Sequence, residues 1–425
     1  MLFVIVISFF ILGCAEQKRD NTSVIGENQE IRLVFATDIH YLSPDLLSSD
    51  SAFIRALERG DGKMTHYSPE ITEAFLDEVI RIKPHALILG GDISFNGEKK
   101  SHTELARKLN SVRDAGITVL AVPGNHDINR PNAYQYLREG IRRTPSVTQK
   151  QFRDIYYPLG AVNAVSFDSS SLSFVYRLSE DVQVIMLDTS QYQKGNVKEG
   201  GRISDKTLSW LEKELALASK SNITVITVMH HSLLPHNSMF NSNFVIEDYR
   251  TVVNLLERYG VRLNLSGHIH VQHIKREEDS GIYDISTNAL AVFPNYYALI
   301  TINPDKSIEY RANRVNVSKW AERNRIRDAN LLNFEAYSLE FMSRSSFFKT
   351  SQTLSDYNMS EEDRNLMIEF AQTLNTNYFA GIITEINPEN TAYKLWLEHY
   401  PQERFIRYLN SILIDKTPST ELVIR

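Results

Sequence analysis

The chain has 425 residues, 42% apolar and 23% charged, the proportions of a globular protein long enough for one large and one small domain. Its formal charge of −6, from 46 basic against 52 acidic residues, argues against a protein that coats nucleic acid, which needs a basic surface to neutralise phosphates. A small anionic substrate held by metal stays compatible, because divalent ions outweigh the surface balance locally.

The N-terminus opens on an unbroken apolar and small run, Leu2 to Gly13, too short to span a bilayer as a helix. It ends at Cys14, the single cysteine. Ile11-Leu12-Gly13-Cys14 resembles the lipobox of bacterial lipoproteins, although no Lys or Arg precedes the apolar run. The resemblance implies a signal peptide over residues 1–14, a lipid on Cys14, a polar tether over 15–30, and an extracytoplasmic protein anchored to the membrane. With no cysteine left for disulfides, an oxidising compartment carries no redox cost.

Beyond the tether, Ile31 to Thr37 is a β-branched and aromatic run ending at Asp38, the way a buried strand delivers a residue to a site at its C-terminal end. Pro69 to Lys83 has apolar residues at helical spacing with a proline near its start. Strand Ala86 to Leu89 ends in Gly90-Gly91-Asp92. Helix Lys99 to Ala115 and strand Ile117 to Val122 then lead to Gly124-Asn125-His126-Asp127. Arg130 to Ala164 reads as a long aromatic and basic insertion without clear strand pattern. Strands Ser173 to Leu178 and Gln183 to Leu187 follow, then helix Asp205 to Ser219 and strand Thr224 to Val228, ending at His230-His231. Helix Glu247 to Tyr259 precedes strand Val261 to Leu265 and Gly267-His268-Ile269-His270. Strand-like segments from Ile282 to about Ile302 close an α/β layered core with a largely parallel sheet over residues 31–303.

Residues 304–425 change character and read as a smaller helical domain. Ser318 to Phe347 and Ser360 to Ala380 look helical, the latter with Ser360 as N-cap and Asp363 three residues on. Pro388 to Asp415 reads as two helices, because Pro401 interrupts one. Apolar residues at helical spacing there, such as Trp396 and Leu409, read as core.

Each chemical motif lies where a strand ends and a loop begins, so that ligands converge at one sheet edge. Asp38 and His40 are two apart on extended chain and share a face, as do His268 and His270. Asp92 after two glycines can approach closely and bridge two metals. Asn125 offers a neutral carbonyl oxygen, and His230 an imidazole. Nitrogen and oxygen ligands without sulfur suit Mn, Fe or Zn better than a thiolate-preferring ion. Two such ions side by side lower the pKa of a shared water and clamp phosphate oxygens, the requirement for phosphate-ester hydrolysis.

The five motifs in this order resemble the calcineurin-like metallophosphoesterases over about Ile31 to Ile302. The resemblance implies a layered α/β/β/α sandwich with Asp38, His40 and His270 on one metal, Asn125, His230 and His268 on the other, and Asp92 bridging. His231 packs nearby. Asn125 and His126 contact the substrate phosphate, with His126 as general acid oriented by Asp127. Purple acid phosphatases carry a metal-bound tyrosine three residues after the bridging aspartate, where this chain has Phe95. Gly124 to Asp127, Gly267 to His270, and Gly200-Gly201-Arg202-Ile203-Ser204 before Trp210-Leu211 look like class III cyclic nucleotide phosphodiesterases. The expected substrate is therefore a small phosphodiester, cyclic nucleotides first, and not a long nucleic acid. Alternatives are an extracytoplasmic phosphomonoesterase or nucleotidase, a partner-binding surface lipoprotein that uses its helical C-terminus, and a nuclease. For the last, Arg130, Arg138, Arg142 and Arg143 would supply a local basic patch.

Overall fold

The computed structural model describes residues 25–425 apart from 50, 58, 59, 386, 388, 400–403 and 418. The expected signal peptide, Cys14 and most of the tether lie outside the described residues.

Two mixed sheets face each other. The strands are β1 (Ile31–Ala36), β2 (Ala86–Leu89), β3 (Thr118–Ala121), β4 (Ser166–Phe167), β5 (Phe174–Arg177), β6 (Val182–Leu187), β7 (Thr224–Met229), β8 (Leu263–Ser266), β9 (His273–Arg276), β10 (Tyr283–Ser286), β11 (Tyr296–Ile302), β12 (Ile308–Arg314) and β13 (Glu421–Ile424). The first sheet runs β13-β12-β11-β1-β2-β3, and the second β9-β10-β8-β7-β6-β5-β4. Each has a parallel centre, β1/β2/β3 in one and β6/β7/β8/β10 in the other, with antiparallel strands at the margins. The parallel centres carry the most buried runs: Ala86–Leu89, and Val182–Leu187 with Gln183 as its one polar residue, are buried throughout, as strands covered on both faces must be. The largely parallel sheet expected from the alternating pattern is thus two sheets, and each motif loop leaves a strand of a parallel centre.

Helices α1 (Ala52–Leu57), α2 (Ser68–Ile82), α3 (Lys99–Asp114) and α4 (Gln149–Tyr156) belong to the first half, and α5 (Asp205–Lys220) and α6 (Tyr249–Arg258) to the second. α2 starts with Pro69 in its first turn and buries Ile71, Phe75 and Val79 along one face. The segment from Arg130 to Ala164 is more ordered than its pattern suggested. It holds a hairpin, Tyr134–Tyr136 with Ile141–Arg143, and α4, whose Thr148 and Gln151 form a capping box.

The C-terminal part contains α7 (Val317–Arg323), α8 (Ala329–Leu332), α9 (Phe334–Thr353), α10 (Glu361–Phe379), α11 (Thr391–His399) and α12 (Arg404–Ile414). The helical reading of Ser318 to Phe347 becomes three helices, because Asp328 caps a new start by accepting from Asn330 N and Leu331 N. Ser360 caps α10 through Asp363 N at 3.0 Å. The expected boundary after Asn303 falls inside the first sheet. β12 extends that sheet, and the last strand, β13, returns from the helices to pair with it, Ile308 opposite Ile424. Among the described residues, no helix is long and apolar enough to cross a membrane.

Candidate metal centre

The five motif loops meet at the C-terminal ends of β1, β2, β3, β7 and β8. Asp38 and His40 are not on extended chain as expected. Both, like Asp92, His268 and His270, have positive φ, between 46° and 68°. Left-handed backbone at non-glycine residues costs on the order of 1–3 kcal/mol each, and the surrounding hydrogen bonds hold it. Asp38 N donates to Gly91 O and His40 N to Asp92 O, both at 3.0 Å, which laces the first loop to the second. Gly124 lies where a Cβ would come 2.2 Å from Asp92 Oδ1, so only glycine allows the third loop against the aspartate.

Two groups of ligating atoms result, and they share one residue. Asp38, His40, Asp92 and His270 form the first; Asp92, His230 and His268 form the second. Asp92 presents Oδ2 to His40 Nε2 at 3.8 Å and Oδ1 to His230 Nε2 at 3.4 Å. Asp38 Oδ1 lies 3.3 Å from His270 Nε2. Asn125 Oδ1 joins the second group, 3.1 Å from His230 Nε2. Asp38, His40 and His270 thus fall in one group and His230 and His268 in the other, with Asp92 in both and Asn125 beside the second. Although two apart in sequence, His268 and His270 fall in different groups.

These residues fit metal ions. Asp38 Oδ1 is buried with no hydrogen-bond partner, while its Oδ2 accepts from Thr37 Oγ1 at 2.7 Å and His268 N at 2.9 Å. His230 Nδ1 donates to Gly90 O and His268 Nε2 to Asn243 O, each at 2.9 Å, so each ring keeps its other nitrogen for the centre. His231 has both nitrogens taken, Nδ1 by Thr189 Oγ1 and Nε2 by Glu199 O, and is no ligand here. Burial would neutralise the Asp38 and Asp92 carboxyls. The neighbouring histidines outweigh it and hold both below their ordinary range, leaving buried charge that suits cations. Burial would likewise lower His230, but Asp92 and Asp38 raise it to about 9.

His126 stands over the first group, its ring perpendicular to His40 with centroids 5.2 Å apart. Its Nδ1 lies 2.9 Å from both Phe95 O and Asn96 Oδ1, which assigns the proton to Nδ1 and leaves Nε2 for a ligand. Those two groups orient the ring, and Asp127 does not. Asp127 is fully buried and accepts from Ile93 N, Ser94 N and Gly124 N at 2.8–3.1 Å, tying the β2 loop to the β3 loop. Burial and the Asp92 charge push it up to about 7. Its expected catalytic part is corrected to a structural one. Phe95 has no hydroxyl to offer, and its ring packs near His40 at 6.4 Å.

Two further residues join the centre without a motif. Glu199 Oε2 accepts from Asn125 Nδ2 at 2.6 Å, which turns the amide oxygen toward His230. Arg130 Nη1 donates to Glu199 Oε1 at 3.0 Å and to Asn125 O at 3.2 Å. Arg130 is thereby separated from Arg138, Arg142 and Arg143, which are exposed on the hairpin beside it. The only hint of Glu199 in the sequence is its place before Gly200-Gly201.

Comparison with known proteins agrees with this geometry. Residues 31–272 match the calcineurin-like phosphoesterase family, and residues 316–418 match a domain described as the C-terminal domain of cyclic nucleotide phosphodiesterase. A 3',5'-cyclic-nucleotide phosphodiesterase of Nostoc sp. is 25% identical over 287 residues, 66% of this chain and 86% of that protein. A probable cyclic nucleotide phosphodiesterase of Ruthia magnifica is 22% identical over 230 residues, 54% of this chain and 79% of that protein. Among solved structures, a dimetal phosphatase from Danio rerio shares the fold at a TM-score of 0.50 and 13% identity, covering 67% of this chain and 96% of that one. With its paired ligand groups on that fold, the chain belongs to the calcineurin-like phosphoesterase family and is a metal-dependent phosphoesterase.

Proposed function

We propose that the protein is a dinuclear phosphodiesterase acting on small phosphodiesters, with cyclic nucleotides as the leading substrates. The sharing of Asp92 between two ligand groups carries the two-metal reading. The cyclic nucleotide reading is supported by the match of residues 316–418 and by the names of the relatives above. Bound there, divalent ions would supply Lewis acidity toward the phosphate and an activated water. The chain's own residues do the rest. Asp38, His40, Asp92, Asn125, His230, His268 and His270 are the ligands. Asp38, His40, Asp92 and His230 are buried, whereas His126, His268 and His270 are partly exposed, so the substrate enters from the His126 side.

His126 is the proton donor to the leaving oxygen. Its Nδ1–H is held by Phe95 O and Asn96 Oδ1, so proton delivery is from Nε2. Burial lowers its pKa in the free protein, and an anionic phosphate beside Nε2 favours the imidazolium, which charges the acid when substrate is present. The test is a panel of cyclic AMP, a linear phosphodiester and a phosphomonoester with Mn, run on wild type and Asp92→Ala. Wild type is expected to hydrolyse both diesters, and Asp92→Ala to lose activity together with bound metal. Turnover of monoesters alone would overturn the diesterase reading, and equal activity in the variant would overturn the two-metal reading.

A further inference from the structure

The loop Gly60-Asp61-Gly62-Lys63 belongs to none of the motifs, yet two parts of the molecule clamp it beside the centre. From the core, Met64 N donates to Ala291 O at 2.8 Å, and Ala291 N donates to Asp38 O at 3.3 Å. The residue after Lys63 is therefore two hydrogen bonds from a metal ligand. From the C-terminal part, Ser345 Oγ on α9 donates to Gly60 O at 2.7 Å. Met342, one turn earlier on α9, presses on Gly62. A Cβ on that glycine would come 2.8 Å from the Met342 sulfur, and its φ of +83° already favours glycine. The loop cannot shift without α9.

Lys63 is enclosed, its side chain 10% exposed, and Asp61 is 3.0 Å from its Nζ. Burial alone would discharge a lysine. Asp61 opposes this and holds the ammonium above its ordinary pKa. An ammonium has three N–H donors, so one carboxylate contact leaves others for an anion. The backbone bonds through Ala291 to Asp38 bring the loop to the centre, and the ammonium charge is felt at Asp92 and Asp38 as well as at His40 and His126. Arg130, also buried beside the centre, is taken up by Glu199 and the Asn125 carbonyl.

We propose that Lys63 anchors the substrate by donating to a non-bridging phosphate oxygen, and that α9 holds the anchor in place. This rests on the phosphoesterase reading above. It gives the C-terminal helices a task at the catalytic centre, as the wall behind the cation that receives the phosphate.

The test uses the full chain loaded with Mn and inorganic phosphate as probe. Phosphate Kd is measured by calorimetry, KM and kcat on bis(p-nitrophenyl) phosphate, and metal content by elemental analysis. Losing one charge-assisted hydrogen bond, Lys63→Met should raise phosphate Kd and KM roughly 10- to 100-fold, with kcat and metal content changing far less. Lys63→Arg should recover part of the affinity. Met342→Ala with Ser345→Ala should shift phosphate Kd in the same direction by less. Should Lys63→Met fail to fold, Lys63→Gln reads the same quantities. Unchanged phosphate affinity in a folded Lys63 variant would overturn the proposal, and so would loss of metal in step with loss of affinity. If wild type binds phosphate through Lys63 but cleaves no diester, the anchor stands and the diesterase reading fails.

Discussion

An asparagine ligand has a handicap that histidine and aspartate lack: its side chain ends in one acceptor and one donor of nearly the same shape, and only the acceptor serves a metal. Here Glu199 resolves the choice, taking Asn125 Nδ2 so that Oδ1 faces His230. Arg130 holds Glu199 in turn. Groups that orient ligands are typically worth 10- to 100-fold in metal affinity, so Glu199→Ala should weaken the second metal by about that factor. The first metal, whose ligands do not include Asn125, should be retained. Metal titration followed by elemental analysis after dialysis should therefore find one ion retained more strongly than the other, with Glu199→Gln intermediate. Equal retention of both ions in Glu199→Ala would mean that Asn125 orients itself. None of this was legible in the chain, because Glu199 and Asn125 are 74 positions apart and the contact needs the folded loop.

At the scale of elements, the loops do the chemistry and the strands give them position. The strand ends bring the motif residues together at one edge of the sheets. The backbone there is not the extended chain expected, since alternation along a strand does not apply to left-handed residues. The same loops store an electrostatic cost. Glu98, the N-cap residue of α3, is fully buried and accepts from Asn96 N, whose neighbouring loop orients His126. Burial, with a contribution from the Asp127 charge, pushes Glu98 up to about 7 from an ordinary 4.5. The folded protein therefore binds a proton more tightly than the unfolded chain. The stability this gives is full below about pH 4.5 and is lost as pH rises through 7. Glu98→Gln keeps an acceptor for Asn96 N without a charge. It should match wild type near pH 4 and exceed it at pH 8 by on the order of 3 kcal/mol. Urea unfolding at the two pH values checks this, and an equal difference at both would remove Glu98 from the pH dependence.

Over the whole molecule, the α/β core and the ligand set could be read from local pattern because each strand and its motif are contiguous in sequence. The closure of the first sheet could not. β13 lies more than a hundred residues after β12, and a four-residue strand at a chain end carries too little pattern to reveal its partner. The consequence is that the C-terminal helices are not an appendage. Ile269 and Val271, next to His268 and His270 of the candidate metal centre, pack in one apolar cluster with Leu354, Met367, Trp396, Ile406 and Leu409. Gln272 N donates to Phe379 O at 3.1 Å. A buried polar chain runs from Asp284 through His236 and His273 to Asp415 at the end of α12, crossing from the second sheet to the last helix. Removing residues after Asn303 would expose that cluster, strip β12 and β13 from the sheet and take Asp415 from His273. Large buried apolar losses cost about 3–5 kcal/mol for a single Trp→Ala, and here many such contacts go at once against a total stability of about 5–15 kcal/mol. A chain ending at Asn303 should therefore give no monodisperse, metal-binding protein. Co-expression with residues 304–425 as a separate chain should restore both. A truncated chain that stays monomeric, binds two metals and turns over diesters at the wild-type rate would return the helices to the status of an independent partner-binding unit. That outcome would also remove α9 from behind Lys63.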